Sequence, residues 1–324
     1  MAKKNKTDTT RLSPEMTKKK SPDQSDRSHD KLFVLQGTYR VDRILEQLHY
    51  SKVYLAKDLE KEEIEYAIKE VPIRSELNSL SSPEMRTFSE LAQEYMNLYH
   101  PYLTRVVDFF FEDGYEYIVM SYVKGRRLQE VIDVRKAPFK ENDVLDIGLM
   151  IASALNYMHT DKKKPVFFSD VFPSNVIITP LRGIEMTDYG LGKFLADRGQ
   201  EYPYRGTPGF AAPEQHYPHD IIDAQTDIYA LGAVMFYMAT NIHPEYIRER
   251  LPDVRKINPD ISEKLANAIY KATEPDRRKR YKVIRHLIED LVNYDSISNG
   301  MDLSGVDKLR LWFSNLINRK KIDI

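Results

Sequence analysis

The chain has 324 residues, which is enough to bury one large core or two lobes. Its 42% hydrophobic and 30% charged content is typical of a globular protein, and a formal net charge of −1 gives no overall attraction to nucleic acid or anionic membranes. The lack of cysteine excludes disulfides, thiolate metal sites and cysteine nucleophiles. No apolar run is long enough for a membrane span, and the N-terminus lacks the apolar core of a secretory signal. We therefore expect a cytoplasmic protein with no nucleic-acid partner.

The first third of the chain begins with a tail and continues as a small sheet. Residues 1–33 are rich in polar residues and almost free of large apolar ones, which predicts a disordered tail. Short segments rich in β-branched and aromatic residues predict antiparallel strands, and Asp113-Gly114 predicts a hairpin turn between the last two. The predicted strands are Tyr39–Glu46, Lys52–Asp58, Ile64–Val71, Val106–Phe111 and Tyr115–Ser121. Helical apolar spacing over Pro83–Tyr99 adds one helix, so we assign 34–123 to a small lobe.

The remainder is mostly helical, and we assign 124–293 to a larger second lobe. The apolar residues recur at helical spacing in four segments, which are Asn142–Thr160, Ala224–Thr240, Ile261–Ala272 and Val283–Val292. A sheet followed by helices predicts an α+β, bilobal plan. In the predicted tail over 294–324, residues 301–319 form a basic amphipathic stretch. Two readings of this stretch are open: packing on the domain or on a partner protein, which we favour, and binding at a membrane surface.

Four polar residues stand in an order that indicates phosphoryl transfer. Asp170 precedes Asn175 by five residues, and Asp188 follows Asn175 by thirteen. Lys69 lies on the third predicted strand. Phosphoryl transfer requires metal ligands, a cation on the phosphates and a carboxylate that receives the hydroxyl proton. Any one of these residues alone would be read as a solvated side chain, but together they predict this chemistry.

Three further segments make the pattern specific. They are Val119-Met120-Ser121-Tyr122-Val123-Lys124-Gly125, Gly206-Thr207-Pro208-Gly209-Phe210-Ala211-Ala212-Pro213-Glu214-Gln215 and Asp227-Ile228-Tyr229-Ala230-Leu231-Gly232. With them the chain resembles the eukaryotic-type serine/threonine protein kinases, and most closely their bacterial members, from about Tyr39 to Leu291. The resemblance implies a protein-kinase-like fold with a small antiparallel-sheet lobe, one helix in that lobe, and a larger helical lobe.

The resemblance also assigns roles to residues. Lys69 is expected to bind the ATP phosphates and Asp170 to act as the catalytic carboxylate, while Asn175 and Asp188 hold Mg²⁺. Adenine is expected beside Met120 and the backbone of Ser121 to Val123. Asp227 is expected to brace the catalytic loop, and Glu214 to form a buried ion pair with Arg280. The implied cofactors are ATP and Mg²⁺, and the implied partners are proteins with a Ser or Thr acceptor.

Several positions depart from the family pattern. The expected glycines of the phosphate-binding loop are Glu46, Leu48 and Ser51, so we expect weakened nucleotide affinity, with Glu46 adding negative charge near the phosphates. Leu91 stands where a helix glutamate orients the lysine, and Glu94 is the candidate replacement, with Glu90 a neighbour on another face. Three catalytic-loop positions are changed as well, since Phe168, Ser169 and Phe172 replace the family's His, Arg and Lys.

Two functions follow from this mixed pattern. The first, which we favour because all four polar residues are retained, is an ATP-dependent serine/threonine protein kinase, whose activity the changed loops would reduce. The alternative is a pseudokinase that serves as a nucleotide-binding scaffold or allosteric module; a small-molecule kinase is a distant third. Since Leu191–Gly206 contains no Ser or Thr, we expect no activation by Ser/Thr phosphorylation of this segment.

Overall fold

The computed structural model describes residues 33–47, 51–72, 88–160, 165–180, 183–188, 206–217, 221–247 and 250–298, with the side chains of 88–91 and 293–298 left out. Several predictions lie outside these residues. They concern the tail at 1–32, Leu48, the start of the helix at 83–87, the segment 191–205 and the amphipathic stretch 301–319.

The small lobe is a six-stranded antiparallel sheet. Its strands are β1 (Val34–Leu35), β2 (Tyr39–Gln47), β3 (Lys52–Asp58), β4 (Glu65–Pro72), β5 (Val106–Glu112) and β6 (Tyr115–Ser121), in the order β1-β2-β3-β4-β6-β5. All five predicted strands are confirmed with shifts of one residue at their ends, and β1 is a short addition. Asp113 and Gly114 both have positive φ, 48° and 82°, as a type I′ hairpin turn requires.

The two faces of this sheet have different environments. Ile68 on β4 packs in an aromatic cluster on one face, where Tyr54 and Tyr117 both donate hydrogen bonds from their hydroxyls to the buried Glu70 carboxylate. Because side chains alternate along a strand, Lys69 points to the opposite face. Helix α1 (Phe88–Met96) contacts β5 and confirms the one helix predicted for this lobe.

The larger lobe is helical, with a small second sheet. Its helices are α2 (Leu128–Arg135), α3 (Glu141–Thr160), α4 (Ala224–Thr240), α5 (Glu263–Ala272) and α6 (Ile284–Ser298). Helix α4 is buried along nearly its whole length, and the side chain of Asp223 caps its first turn by accepting from Gln225 N. The sequence analysis did not predict α2, and α6 continues six residues beyond the predicted end at Val292. None of the helices in the described ranges is long and apolar enough to cross a membrane.

The second sheet joins the two lobes. It contains β7 (Arg126–Arg127), β8 (Val176–Thr179) and β9 (Gly183–Met186), all antiparallel. The chain enters β7 through Gly125, where an added Cβ would lie 2.2 Å from the carbonyl oxygen of Ile178. Only glycine permits this close approach, so Gly125 fixes how the connection from β6 lies on β8. Thr104 N donates to Met186 O at 2.9 Å, which ties the other side of the small lobe to β9.

Candidate active site

Lys69 and Asp188 meet where the two lobes face each other. Lys69 lies on β4 and Asp188 two residues beyond β9, and Lys69 Nζ donates to Asp188 Oδ1 at 3.0 Å. Their side chains are only 8% and 15% exposed, so the charges are partly desolvated and the attraction is stronger than on an open surface. Glu94, the candidate to orient Lys69, lies half-buried on α1. The role of Glu94 stays a prediction.

Asp170 lies on the loop between α3 and β8 and contacts the segment that follows the undescribed residues 189–205. Its Oδ1 accepts one hydrogen bond from Thr207 N at 3.2 Å and another from Thr207 Oγ1 at 2.7 Å. Gln215 links the same two segments, because its Nε2 donates to Ser169 O at 2.9 Å. The predicted catalytic carboxylate and the predicted peptide-docking segment are therefore adjacent, although 37 residues separate Asp170 from Thr207.

A fully buried carboxylate supports this loop from below. Asp227 on α4 accepts hydrogen bonds from Phe168 N at 2.8 Å and from Ser169 N at 2.7 Å, and its Oδ2 lies 2.9 Å from His159 Nε2. These contacts confirm the bracing role predicted for Asp227. They hold Ser169 at a φ of 66°, a left-handed conformation that costs about 1 kcal/mol or more for a residue with a Cβ.

The candidate metal ligands lie next to adjoining ends of strands β8 and β9. Asn175 precedes β8 and Asp188 follows β9, and Thr187 N donates to Asn175 O at 2.9 Å. The Asn175 amide donates from Nδ2 to Asp170 O at 3.2 Å, which leaves its oxygen as the ligand atom. Carboxylate and amide oxygens are the hard ligands that Mg²⁺ prefers, so these residues fit the ion. In the described ranges, no cluster of three or more carboxylate or histidine side chains is placed to hold a metal ion.

A cavity of about 200 Å³ opens between the lobes beside the Lys69–Asp188 ion pair. Its lining combines apolar side chains with backbone at the connection between the lobes, and consists of Leu45, Val53, Ala67, Thr104, Met120, Ser121, Tyr122, Val123, Gly125, Arg127, Glu130, Ile177, Thr187 and Asp188. Met120, Ser121 and Val123, the predicted adenine-contacting residues, are all part of it. A cavity that combines apolar walls with a few polar groups, next to a Lys–Asp pair, can hold a flat heterocycle with an anionic group attached.

Sequence reasoning missed Arg127 and Glu130 as lining residues. The available signal was the charged pair Arg126-Arg127 directly after Gly125. Arg127 Nη2 pairs with Glu46 Oε2 at 2.7 Å, so the carboxylate expected to repel phosphates is charge-neutralised here.

The changed catalytic-loop positions have apolar surroundings. Phe168 is fully buried in the core of the large lobe. Phe172, two residues after Asp170, is half-buried, and its ring centroid lies 6.5 Å from that of Phe210. These phenylalanines contribute packing at positions where the family pattern has histidine and lysine.

A second buried ion pair anchors the docking segment. Arg280 Nη1 donates to Glu214 Oε1 at 2.8 Å, with both side chains almost inaccessible, as the sequence analysis predicted. Burial works to raise the pKa of Glu214, but the hydrogen bonds and charge of Arg280 outweigh burial, so this pKa is lowered. Glu214 therefore stays ionised and holds its segment on α4 through Thr226 as well.

Comparison with known proteins agrees with this geometry. A family model described as the protein kinase domain matches residues 39–298. The chain belongs to the protein kinase family. PrkC of Bacillus subtilis, named a serine/threonine-protein kinase, is 28% identical over 79% of this chain and 40% of its own length. A probable serine/threonine-protein kinase of Clostridium perfringens is 30% identical over 64% of this chain and 31% of its own length. The family assignment to the bacterial eukaryotic-type kinases is thereby confirmed.

Solved structures confirm the bilobal α+β fold. The PknI kinase domain of Mycobacterium tuberculosis aligns with a TM-score of 0.63 at 23% identity, covering 80% of this chain and 97% of that domain. Rad53 1-466 in complex with AMP-PNP aligns with a TM-score of 0.61 at 19% identity, over 78% of this chain and 64% of that one. The chain spans less than half the length of the curated relatives above.

Proposed function

We propose that the protein is an ATP-dependent serine/threonine protein kinase. The observation that carries the proposal is the joint placement of two contacts. Lys69 pairs with Asp188 beside the cavity, and Asp170 binds Thr207 in the docking segment. The Lys69–Asp188 pair would face the phosphates of a nucleotide in the cavity, and Asp170 would face the hydroxyl of a bound protein.

Each residue then has one task. Lys69 neutralises charge on the ATP phosphates, and Asp170 receives the proton as the substrate hydroxyl oxygen bonds to the γ-phosphorus and the bond to the β–γ bridging oxygen breaks. Asn175 and Asp188 would hold Mg²⁺, which supplies charge neutralisation at the phosphates when bound. The products are ADP and a phosphorylated Ser or Thr side chain.

The contacts of Thr207 support an aliphatic hydroxyl, that of Ser or Thr, as the acceptor of the phosphate. Its hydrogen bonds to Asp170 fix the carboxylate next to the docking segment, whose tight turn at Gly209 packs on the backbone of Pro244 and Glu245. An added Cβ at Gly209 would lie 2.5 Å from Glu245 N, so the turn packs closely on this backbone. A closely packed segment next to the Asp170 carboxylate is suited to presenting the hydroxyl of a bound peptide to that carboxylate.

The pseudokinase remains the second candidate, and Phe172 is the observation that favours it. An apolar ring stands two residues from Asp170, where the family has a lysine that contacts the transferred phosphate. Losing one such cation costs a few kcal/mol of barrier, or roughly 10²–10³ in rate. A slow kinase and a nucleotide-binding scaffold therefore differ only in whether transfer is measurable.

The deciding experiment is transfer of labelled γ-phosphate from Mg-ATP to the protein itself and to a basic protein substrate, with Asp188→Ala beside the parent. We expect transfer by the parent and none by the variant, with label on Ser or Thr after acid hydrolysis. Equal incorporation by both, or none by either at high enzyme concentration, would contradict the kinase assignment.

A further inference from the structure

One side-chain ion pair links the small lobe directly to the loop that carries the candidate metal ligand. Glu46 is the last residue but one of β2, and Arg127 ends β7 in the other lobe. Arg127 Nη2 donates to Glu46 Oε2 at 2.7 Å while its Nη1 donates to Ser174 O at 2.7 Å. Since Asn175 follows Ser174, one guanidinium connects the end of β2 to the candidate metal ligand.

The ion pair borders the cavity through Arg127. Arg127 lines the cavity, and so does Leu45, the neighbour of Glu46 on β2. Both charged side chains are 28% exposed, so their attraction is only partly screened by water. Two acidic residues line the described cavity, Glu130, which is exposed, and Asp188, which is paired with Lys69.

The charge of Glu46 explains why this link matters. A carboxylate near the phosphates of a nucleotide costs affinity through like-charge repulsion, and the glycine expected at this position would have none. Arg127 cancels this charge with a two-pronged donor geometry that a lysine cannot reproduce.

We propose that Arg127 is a positioning residue for the nucleotide: it neutralises Glu46 and fastens the end of β2 to the Ser174 carbonyl. The Glu46–Arg127 ion pair thus takes over part of the phosphate positioning that the family pattern assigns to the backbone of a glycine-rich loop. This inference rests on the nucleotide-binding part of the proposed function and does not require phosphoryl transfer.

The test is calorimetric titration of the full chain with Mg-AMP-PNP, using Arg127→Gln, Glu46→Gln and the double variant. The exposed neighbour Arg126 provides the matched control Arg126→Gln. We expect Arg127→Gln to weaken binding about tenfold, because it leaves the Glu46 carboxylate uncompensated. The double variant should recover much of this loss, Arg127→Lys should bind between parent and Arg127→Gln, and Arg126→Gln should match the parent.

Recovery in the double variant separates a specific charge effect from misfolding of Arg127→Gln. If the parent and Arg127→Gln bind Mg-AMP-PNP equally well, the role of Arg127 is overturned, while the proposed function is not. Strict additivity of the two single substitutions would overturn that role too. A parent that does not bind the nucleotide would overturn both this inference and the proposed function.

Discussion

The buried carboxylate of Asp227 offers a sharp test of how the catalytic loop is held. Substitution Asp227→Asn keeps the shape of the side chain but replaces one oxygen with an amide group. In the parent, Oδ1 accepts from Ser169 N, while Oδ2 accepts from Phe168 N and contacts His159 Nε2. Because an asparagine has a single amide oxygen, at least one of the two backbone N–H groups must face the NH₂ group.

The expected cost follows from this mismatch. A hydrogen bond to a charged group contributes about 1.5–3 kcal/mol, and a buried donor left without an acceptor costs about 1–3 kcal/mol more. We therefore expect Asp227→Asn to lower the free energy of unfolding by about 3–5 kcal/mol. It should also lower kcat, since Ser169 can then relax from its φ of 66° and carry Asp170 away from Thr207.

The assay is urea unfolding followed by circular dichroism, paired with steady-state phosphate transfer under conditions where the variant is folded. Asp260→Asn is the matched control, because Asp260 is exposed and the same chemical change there should stay within about 0.5 kcal/mol of the parent. A loss below about 1 kcal/mol for Asp227→Asn would refute the argument that Asp227 holds the loop.

Three other substitutions test separate parts of the structure. Burial lowers the pKa of His100 from 6.5 to about 4, so folding favours the neutral ring. The free energy of unfolding should therefore fall by about 2 kcal/mol as the pH drops from about 7 to 5. Urea unfolding of His100→Asn should lack this loss, whereas an Asn variant of the exposed His286 should keep it. Glu214→Gln leaves Arg280 buried beside a neutral amide, so chemical unfolding should show a loss of about 3–5 kcal/mol, and a loss under 1 kcal/mol would speak against a buried charge pair. Thr207→Val removes the hydroxyl that donates to Asp170, so kcat should fall while Thr207→Ser stays near the parent; equal rates for the two variants would exclude this role.

Local patterns accounted for most of the fold. Strands β2 to β6 follow from alternating, β-branched segments, and the Asp113-Gly114 turn follows from the positive φ that it needs. Helix α2 escaped prediction because it is short and has no side-chain cap at Arg127 to mark its start. Strands β7 and β8 escaped because two to four residues carry too little periodicity to read.

The candidate site was predictable only through its family pattern. Lys69 and Asp188 are 119 residues apart, and no local signal brings them together without the kinase motifs. The Glu46–Arg127 pair is 81 residues apart and belongs to no motif, so its charges were read separately and Glu46 was taken as a liability. Distant ion pairs of this kind depend on tertiary geometry, which the sequence pattern of either partner does not encode.

In the proposed kinase, Asp170 accepts the proton of the substrate hydroxyl. The most direct measurement is the single-turnover rate of γ-phosphate transfer at saturating Mg-ATP for the parent and for Asp170→Asn, with nucleotide affinity measured in parallel. We predict that the nucleotide affinity of Asp170→Asn stays within about threefold of the parent, while its transfer rate falls by about 10²–10⁴. Equal rates for the two proteins, or a parent that binds nucleotide and transfers nothing, would contradict this role of Asp170.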